Sequence, residues 1–464
     1  MEHDYEKLKL KSGLEIHQQL DTHKLFCDCP SLLRTDEPQF EITRTLNPVI
    51  GETGLIDIAV QHEAEQNKNF TYQVYDTNCL VETDEEPPHT INQEALKITL
   101  QIALLLNCKI FPVAQIMRKT VTDGSNTSGF QRTALIAHDG HITLSSGKKI
   151  AIDYLMLEED SARKVSENKD GSKTFKLDRL GIPLVEIATG PHMQTPDEIK
   201  EAALKLGEIL RACKVKRGLG TIRQDVNISI NGSKRVEIKG FQDPKMMTKT
   251  IDIEITRQQE CIKNKSCQNE VRNALPDGTT EFLRPMPGAA RMYPETDHPL
   301  IKISKQFLDE TKNNLPKLLT ENTSYLKEFG LNPELIKLIL KQNKLEDFKA
   351  LIHEHNNPNL IAKMLTLFQT KPTVSIHNIE EILEKIENEE IPETDANGVM
   401  QKISQGMTLK EATEKSNINL KSEAQKIIKE KPGLSQGAYM GLLMGKFKGQ
   451  LSGKEIADIL SKLL

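Results

Sequence analysis

The stretch Thr221–Ile230 alternates without a break. Ile222, Val226, Ile228 and Ile230 fall on one parity, with Gln224 among them, and Arg223, Asp225, Asn227 and Ser229 fall on the other. Strand side chains repeat every two residues, so the pattern predicts a strand with one apolar face and one face of chemically capable groups. A sheet face that is merely wetted more usually carries Thr, Lys and Glu. The design recurs. In Leu14–Gln18, Glu15 and His17 share one face while Leu14 and Ile16 share the other; in Val236–Lys239, Glu237 and Lys239 share a face; and the largely apolar run Ala151–Leu157 ends in Glu158, Glu159 and Asp160. Antiparallel sheets often have one wet face, and that accounts for any one of these strands as well as a site does. Four strands offering acids, bases and a histidine together predict the floor of a charged cleft.

From residue 8 to about 300 the chain reads as mixed α/β with short strands. Two helices stand out: Asn92–Asn107, with Asn92 as N-cap, and one running from Pro196 to Arg211, with Thr195 as cap, proline at the first position and acids in the first turn. The character changes after Pro299. From Phe307 onward, Leu, Ile, Lys, Glu and Asn recur at helical spacing, and Pro316, Pro333, Pro358, Pro372, Pro392 and Pro432 divide the run into short helices. The run Glu380–Glu390 reads as the solvated face of one of them. The segment Lys431–Gly449 differs again, mixing glycines with Leu, Met and a basic cluster. It reads either as a closely packed helical module or as a nucleic-acid contact.

Length and composition bound the picture. The 464 residues suffice for two to four domains, and tryptophan is absent. The formal net charge of −5 does not announce a nucleic-acid binder, although local charge still can. No signal-peptide pattern opens the chain and no apolar run reaches membrane-spanning length. Seven cysteines, an odd number, fit a reducing cytoplasm, and Cys261 and Cys267 read as loop thiols.

Candidate chemistry follows from residue type. Glu15, His17, Glu158 and Glu159 suit a hard divalent cation such as Mg²⁺ or Mn²⁺; the plainer alternative is that His17 only hydrogen-bonds a carboxylate. The loop Asp123–Arg132 is rich in glycine and hydroxyls and ends in arginine, so Ser125, Asn126, Ser128, Gln131 and Arg132 are expected to meet an anionic substrate through a phosphate or carboxylate, unless the loop is an ordinary hairpin. It lacks the Gly-Lys-Ser/Thr of a Walker A loop. Cys27, Cys29 and Cys79 fall one ligand short of a tetrahedral zinc set. In Gly288–Asp297, Arg291, Tyr293, Glu295 and Asp297 either serve the cleft or belong to a domain connection stiffened by Pro294. Amidase, hydrolase-elbow and asparaginase nucleophile signatures are all missing, so the chemistry is expected to be electrostatic and metal-assisted.

At Gly13–Thr22, Cys79–His89, Met117–Thr133, Leu157–Asp160, Leu177–Ile187, Arg217–Ile230 and Arg291–Asp297 the chain closely resembles the archaeal GatE-type subunits of glutamyl-tRNA(Gln) amidotransferase, within the wider GatB/GatE family that also has bacterial and organellar members. The resemblance spans nearly the whole chain. It implies an α+β fold: a cradle-shaped catalytic domain with a central, largely antiparallel sheet over residues 1–303, an all-helical domain over 304–392, and a small helical, tRNA-contacting tail over 393–464. It implies a cytoplasmic carbon–nitrogen ligase. ATP phosphorylates the side-chain carboxylate of Glu on tRNA(Gln), with Mg²⁺, and ammonia then gives Gln-tRNA(Gln). The ammonia comes from an asparaginase-like GatD-type partner in a heterodimer or heterotetramer. Carried over by position, Glu15, His17, Glu158 and Glu159 become metal and phosphoryl-transfer residues, and Arg223, Asp225, Asn227, Glu237 and Lys239 line the same cleft. One departure stands out. The insertion domain usual in GatE-type chains is reduced here to a short Lys/Asn/Gln-rich connection near Cys261 and Cys267.

Overall fold

A computed structural model describes residues 3–47, 50, 54–56, 60–61, 69–169, 171–241, 244–286, 292–342, 344–369, 371–413, 420–446 and 453–464. Its first compact unit, Met1–Leu318, is built on an eleven-stranded sheet. In chain order, the long path contains β1 (Lys11–Gln19), β2 (Ile116–Thr120), β3 (Phe130–Thr143), β4 (Lys149–Glu159), β5 (Pro183–Thr189), β6 (Ile222–Ser229), β7 (Val236–Phe241), β8 (Glu270–Ala274), β9 (Thr280–Pro285) and β10 (Met292–Pro294). Across the sheet they run β9-β8-β7-β6-β1-β5-β4-β3-β2-β10, and the two-residue strand Lys109–Ile110 pairs with β3. Every pairing is antiparallel except β7 with β8, so the sheet is largely antiparallel as expected.

Three helices cover one side of this sheet: α1 (Gln93–Leu105), α2 (Pro196–Ala212) and α3 (Pro244–Lys263). Leu14, Ile16, Val226, Ile228 and Ile238 from the strands join Leu96, Leu206 and Ile251 from the helices in a single apolar core. Burying one parity of β1, β6 and β7 forces the alternate parity out on the opposite face, which places the charged side chains together. Both expected caps form. Asn92 Oδ1 accepts the Ala95 N–H at 3.0 Å, and Thr195 Oγ1 accepts the Glu198 N–H at 3.2 Å; such a cap contributes about 1 kcal/mol. Phe40–Thr45, Asn69–Val74, Lys173–Lys176 and Arg163–Glu167 make a separate four-stranded sheet with its own small core.

The second compact unit, Leu319–Leu464, is helical. The helix Lys305–Asn313 belongs to the first unit and packs on α1. Within the second, Ala396, Val399, Met400 and Ala412 bury themselves with the helices before them, and a separate cluster begins at Leu420. The prolines that divide the sequence mark helix starts, as at Pro333 and Pro358, and a helix start need not be a domain boundary. The helix Ile376–Glu387 buries Ile379, Ile382 and Leu383 and leaves its glutamates outward. Cys261 and Cys267, expected as free loop thiols, are joined in a disulfide: the end of α3 and the short connection into β8 bring their Cα atoms to 5.1 Å.

Candidate active site

Register assembles the site. On β1, His17 lies directly between Glu186 of β5 and Arg223 of β6, and Glu15 lies opposite Asp225. On the next strand out, Asn227 of β6 pairs with Glu237 of β7. Directly opposed cross-strand residues hold their Cβ atoms about 5 Å apart, so charges on one parity are bound to meet. Together with Glu158, Lys119 and Lys239 they line a cavity of about 1040 Å³.

The geometry at its centre is tight. His17 Nε2 lies 3.3 Å from Glu186 Oε2 and 3.7 Å from both Glu15 Oε1 and Glu158 Oε1. Lys119 Nζ donates to Glu158 Oε2 at 2.6 Å and to Glu186 Oε2 at 3.2 Å, and Thr133 Oγ1 donates to Glu158 Oε2 at 3.0 Å. Across β1, Lys239 Nζ donates to Asp225 Oδ2 at 2.6 Å and also pairs with Glu237. Arg223 donates to Asp160 Oδ1 at 2.8 Å, and Gln19 holds the other oxygen of that carboxylate at 2.6 Å. Two ligand sets form, Glu15–His17–Glu186 and Glu15–Asp225–Glu237, each with its donor atoms within 4.8 Å. Glu15 stands in both.

The electrostatics follow from crowding carboxylates in a partly dry place. Burial, then the neighbouring Glu186, pushes the Glu15 carboxyl up to about 7. Burial alone would depress the His17 imidazolium, but the hydrogen bond and charge of Glu186 outweigh it and raise the group to about 8. Burial likewise opposes ionisation of Glu186, yet Lys119 and His17 hold it well below the ordinary carboxylate range. Carboxylates therefore flank β1 on both sides, and a lysine braces each set. The cleft can hold divalent cations through carboxylate oxygens, present ammonium and guanidinium groups to phosphates, and stabilise charge that moves between oxygens.

The expected residues divide into two groups. Glu15, His17, Glu158, Arg223, Asp225, Asn227, Glu237 and Lys239 all line the cavity. Glu159 does not. Its carboxylate takes the backbone N–H of Arg132 at 3.1 Å and the guanidinium at 3.4 Å, beside Cys27 and Glu82. Glu158 and Glu159 are consecutive on a strand, so only one of them can face the cleft. In the loop, Gln131 lines the cavity and donates to Glu159 O at 2.6 Å. Ser125, Asn126, Ser128 and Arg132 are not among the lining residues. Ser128 Oγ donates to Phe130 O at 3.0 Å, the Ser125 N–H donates to Asp123 at 2.9 Å, and the Asn126 amide is buried with neither polar atom hydrogen-bonded. Arg132 pairs with Glu295 at 2.9 Å; Glu295 also pairs with Arg118, which reaches Asp297 at 3.0 Å and lies over the Tyr293 ring at 5.8 Å. Arg291 lies outside the described residues.

Lys119 and Glu186 are cleft residues that the sequence reading misses. The signal for Glu186 is faint: it is a lone acid inside the apolar run Pro183–Thr189, whose every residue is buried, and a lone charge in such a run needs a partner.

Comparison with known proteins identifies the family. Residues 10–309 match the GatB/GatE catalytic domain. The chain is 37% identical to the GatE-type glutamyl-tRNA(Gln) amidotransferase subunit of Methanocaldococcus jannaschii, with 100% of each chain covered. It is 34% identical to the corresponding proteins of Methanococcus vannielii (98% of each) and Methanosarcina barkeri (100% and 98%). The first of these alignments runs over 630 positions against a chain of 464, so that relative carries many residues with no counterpart here. Both the domain match, which spans the whole cleft, and these full-length similarities lead to one conclusion: the chain belongs to the GatB/GatE family of tRNA-dependent amidotransferase subunits.

Proposed function

We propose that the cleft phosphorylates the side-chain carboxylate of Glu esterified to tRNA(Gln) and then amidates it. A carboxylate oxygen attacks the γ-phosphorus of ATP, the bond to the bridging oxygen breaks, and ADP leaves. Ammonia then attacks the acyl carbon of the mixed anhydride, the acyl C–O bond breaks, and phosphate leaves with formation of the amide. Both reactants of the first step are anionic, so positioning and charge compensation supply most of the catalysis.

The observation that carries this reading is the composition of the cavity. It combines a carboxylate-rich centre on β1 and β5 with Lys119, Lys239 and Arg223 around it, and none of the familiar nucleophile signatures accompanies them. The oxygen-rich sets around Glu15 fit Mg²⁺ by donor chemistry: Glu15, His17 and Glu186 would hold one ion, and Glu15, Asp225 and Glu237 a second. Mg²⁺ bound there would neutralise phosphate oxygens. The chain's own residues do the rest. Lys119 braces and orients Glu158 and Glu186, Lys239 does the same for Asp225 and Glu237, and Arg223, held by Asp160, stands at the cleft to receive an anionic group. The ammonia is proposed to come from an asparaginase-like partner protein, because the acyl phosphate is labile to water and needs an enclosed supply.

The test uses the purified chain with Mg-ATP, Glu-charged tRNA(Gln) and free ammonium. Gln recovered on the tRNA, with ADP formed only when charged tRNA is present, supports the reading. Glu15→Ala and His17→Ala are expected to abolish that ATP cleavage and leave tRNA affinity within a few-fold. No Gln, even after the partner is added, rejects the reading in favour of a non-catalytic tRNA scaffold. ADP formed without tRNA points to a stand-alone hydrolase.

A further inference from the structure

The cations of the cleft fall into two classes. Lys119, Arg179, Arg223 and Lys239 line the cavity, and each pairs with a carboxylate. Lys11, Arg235 and Arg284 line the same cavity, and none of them forms an ion pair with a described residue.

Register gathers these three at one end. Lys11 opens β1 opposite Ser229 of β6, on the parity of Glu15 and His17. Arg235 directly precedes β7, on the parity of Glu237 and Lys239. Val271 of β8 pairs with Glu237 on one side and with Arg284 of β9 on the other, so Arg284 extends the Glu237 row to the edge of the sheet. Met286, just past β9, connects the two arginines: Nε and Nη2 of Arg235 lie 2.9 and 2.8 Å from its sulfur. A thioether is a weak acceptor, so this guanidinium fork has no strong partner within the chain.

One unpaired cation on a wet sheet face is ordinary. Three at one end of a cavity whose other cations are all compensated form a site with excess positive charge. The acidic centre begins beside it. Burial opposes ionisation of Glu237, but Lys239 above all, then Arg284 and Arg235, hold its carboxyl below the usual range. Glu237 also belongs to the Glu15–Asp225–Glu237 set, so the basic end adjoins oxygens suited to a divalent cation. A single carboxylate would leave two of the three positive charges unbalanced, whereas a run of phosphates balances them all. Guanidinium forks match phosphate oxygens two at a time. Lys11 and Arg235 are exposed and Arg284 is half-buried, so this end is open to a ligand that continues into solvent.

We propose that Lys11, Arg235 and Arg284 bind phosphate groups of a nucleotide substrate whose reacting end lies at the carboxylate sets around Glu15. The inference rests on the reaction proposed for the cleft. Two substrates of that reaction supply the chemistry: the triphosphate of ATP, and the phosphodiesters beside the aminoacylated 3′ end of the tRNA.

Equilibrium binding to the full-length chain, without turnover, tests the site. Mg-ATP is titrated calorimetrically and tRNA(Gln) by filter retention, on wild type and on the double variant Arg235→Ala, Arg284→Ala. At least one affinity is expected to fall roughly 10- to 100-fold, the range for lost hydrogen bonds to charged groups. A fall for Mg-ATP assigns the site to the triphosphate. A fall for tRNA, with a salt dependence shallower by about 1 per arginine removed, assigns it to the tRNA backbone. Because the variant can fail to fold, a second readout uses wild type alone: the assigned ligand should protect Arg235 and Arg284 from phenylglyoxal, read by peptide mass spectrometry. Unchanged affinity for both ligands in a folded variant, or equal modification of both arginines with and without saturating ligand, overturns the proposal. Wild type that binds both ligands but makes no Gln sinks the proposed reaction and leaves this site standing; turnover with unchanged variant affinities does the reverse.

Discussion

Glu158 and Glu159 are neighbours in the chain and belong to different sites. The first meets Lys119 and His17 in the cleft; the second meets Arg132 on the other side of β4. Glu158→Gln should therefore reduce tRNA-dependent ATP cleavage by roughly 10²–10³-fold, the loss typical of one electrostatic group at a reacting centre, with thermal stability little changed. Glu159→Gln should act mainly on stability and on the loop held by Arg132. Steady-state ATP cleavage and thermal melts on both variants check this; equal kinetic losses would contradict the separation.

Lys119 holds two buried carboxylates at once. Lys119→Met leaves Glu158 and Glu186 without their shared counter-charge. Removing one member of a buried pair costs about 3–5 kcal/mol, so denaturant midpoints should fall clearly and ATP cleavage should vanish. A stable Lys119→Met protein would mean that solvent reaches these carboxylates freely.

Gly13 keeps β1 in register. A Cβ added there would lie 2.9 Å from the carbonyl oxygen of Thr189, and Thr189 Oγ1 accepts the adjacent Leu14 N–H at 2.8 Å. The backbone has to move, and Glu15 and His17 move with it. Gly13→Ala should cost about 1–3 kcal/mol and lower kcat beyond what the loss of folded protein explains. Wild-type turnover per folded molecule would refute the register argument.

Glu295 gives a pH signature. Burial opposes its ionisation, but Arg118 first, then the Asp297 N–H and Arg132, bring the carboxyl from 4.5 down to about 2. Between those values the unfolded chain binds more protons than the folded one, so stability rises with pH. The contribution is complete above about 4.5 and is lost as pH falls through about 2. The stability gap between wild type and Glu295→Gln, measured by denaturant unfolding, should be widest near neutral pH and close as the medium approaches the folded-state value. A gap that does not change with pH would show that Glu295 acts by packing alone.

Local rules make much of the fold legible. The alternation in Thr221–Ile230 becomes β6 with its charged face lining the cavity, and Asn92 and Thr195 cap the helices that the sequence starts there. Those features depend on residues a few positions apart, and side-chain period and cap chemistry act at that range. Glu15, His17, Asp225, Glu237 and Lys239 are readable for the same reason: each sits on the polar parity of a strand whose other parity is apolar.

Other features rest on partners distant in sequence. Glu186 sits in a run that reads as plain core, and only its pairing opposite His17 makes it a candidate ligand. Glu82 meets Lys24 and Cys27, more than fifty residues earlier in the chain, and nothing local in the sequence announces either contact. The sequence by itself determined which side chains share a strand face and where helices begin, because those depend on neighbours along the chain. Tertiary structure alone decided which faces meet. Strand order and register, set by burial of the apolar parity over the whole sheet, place side chains far apart in the chain within hydrogen-bonding distance.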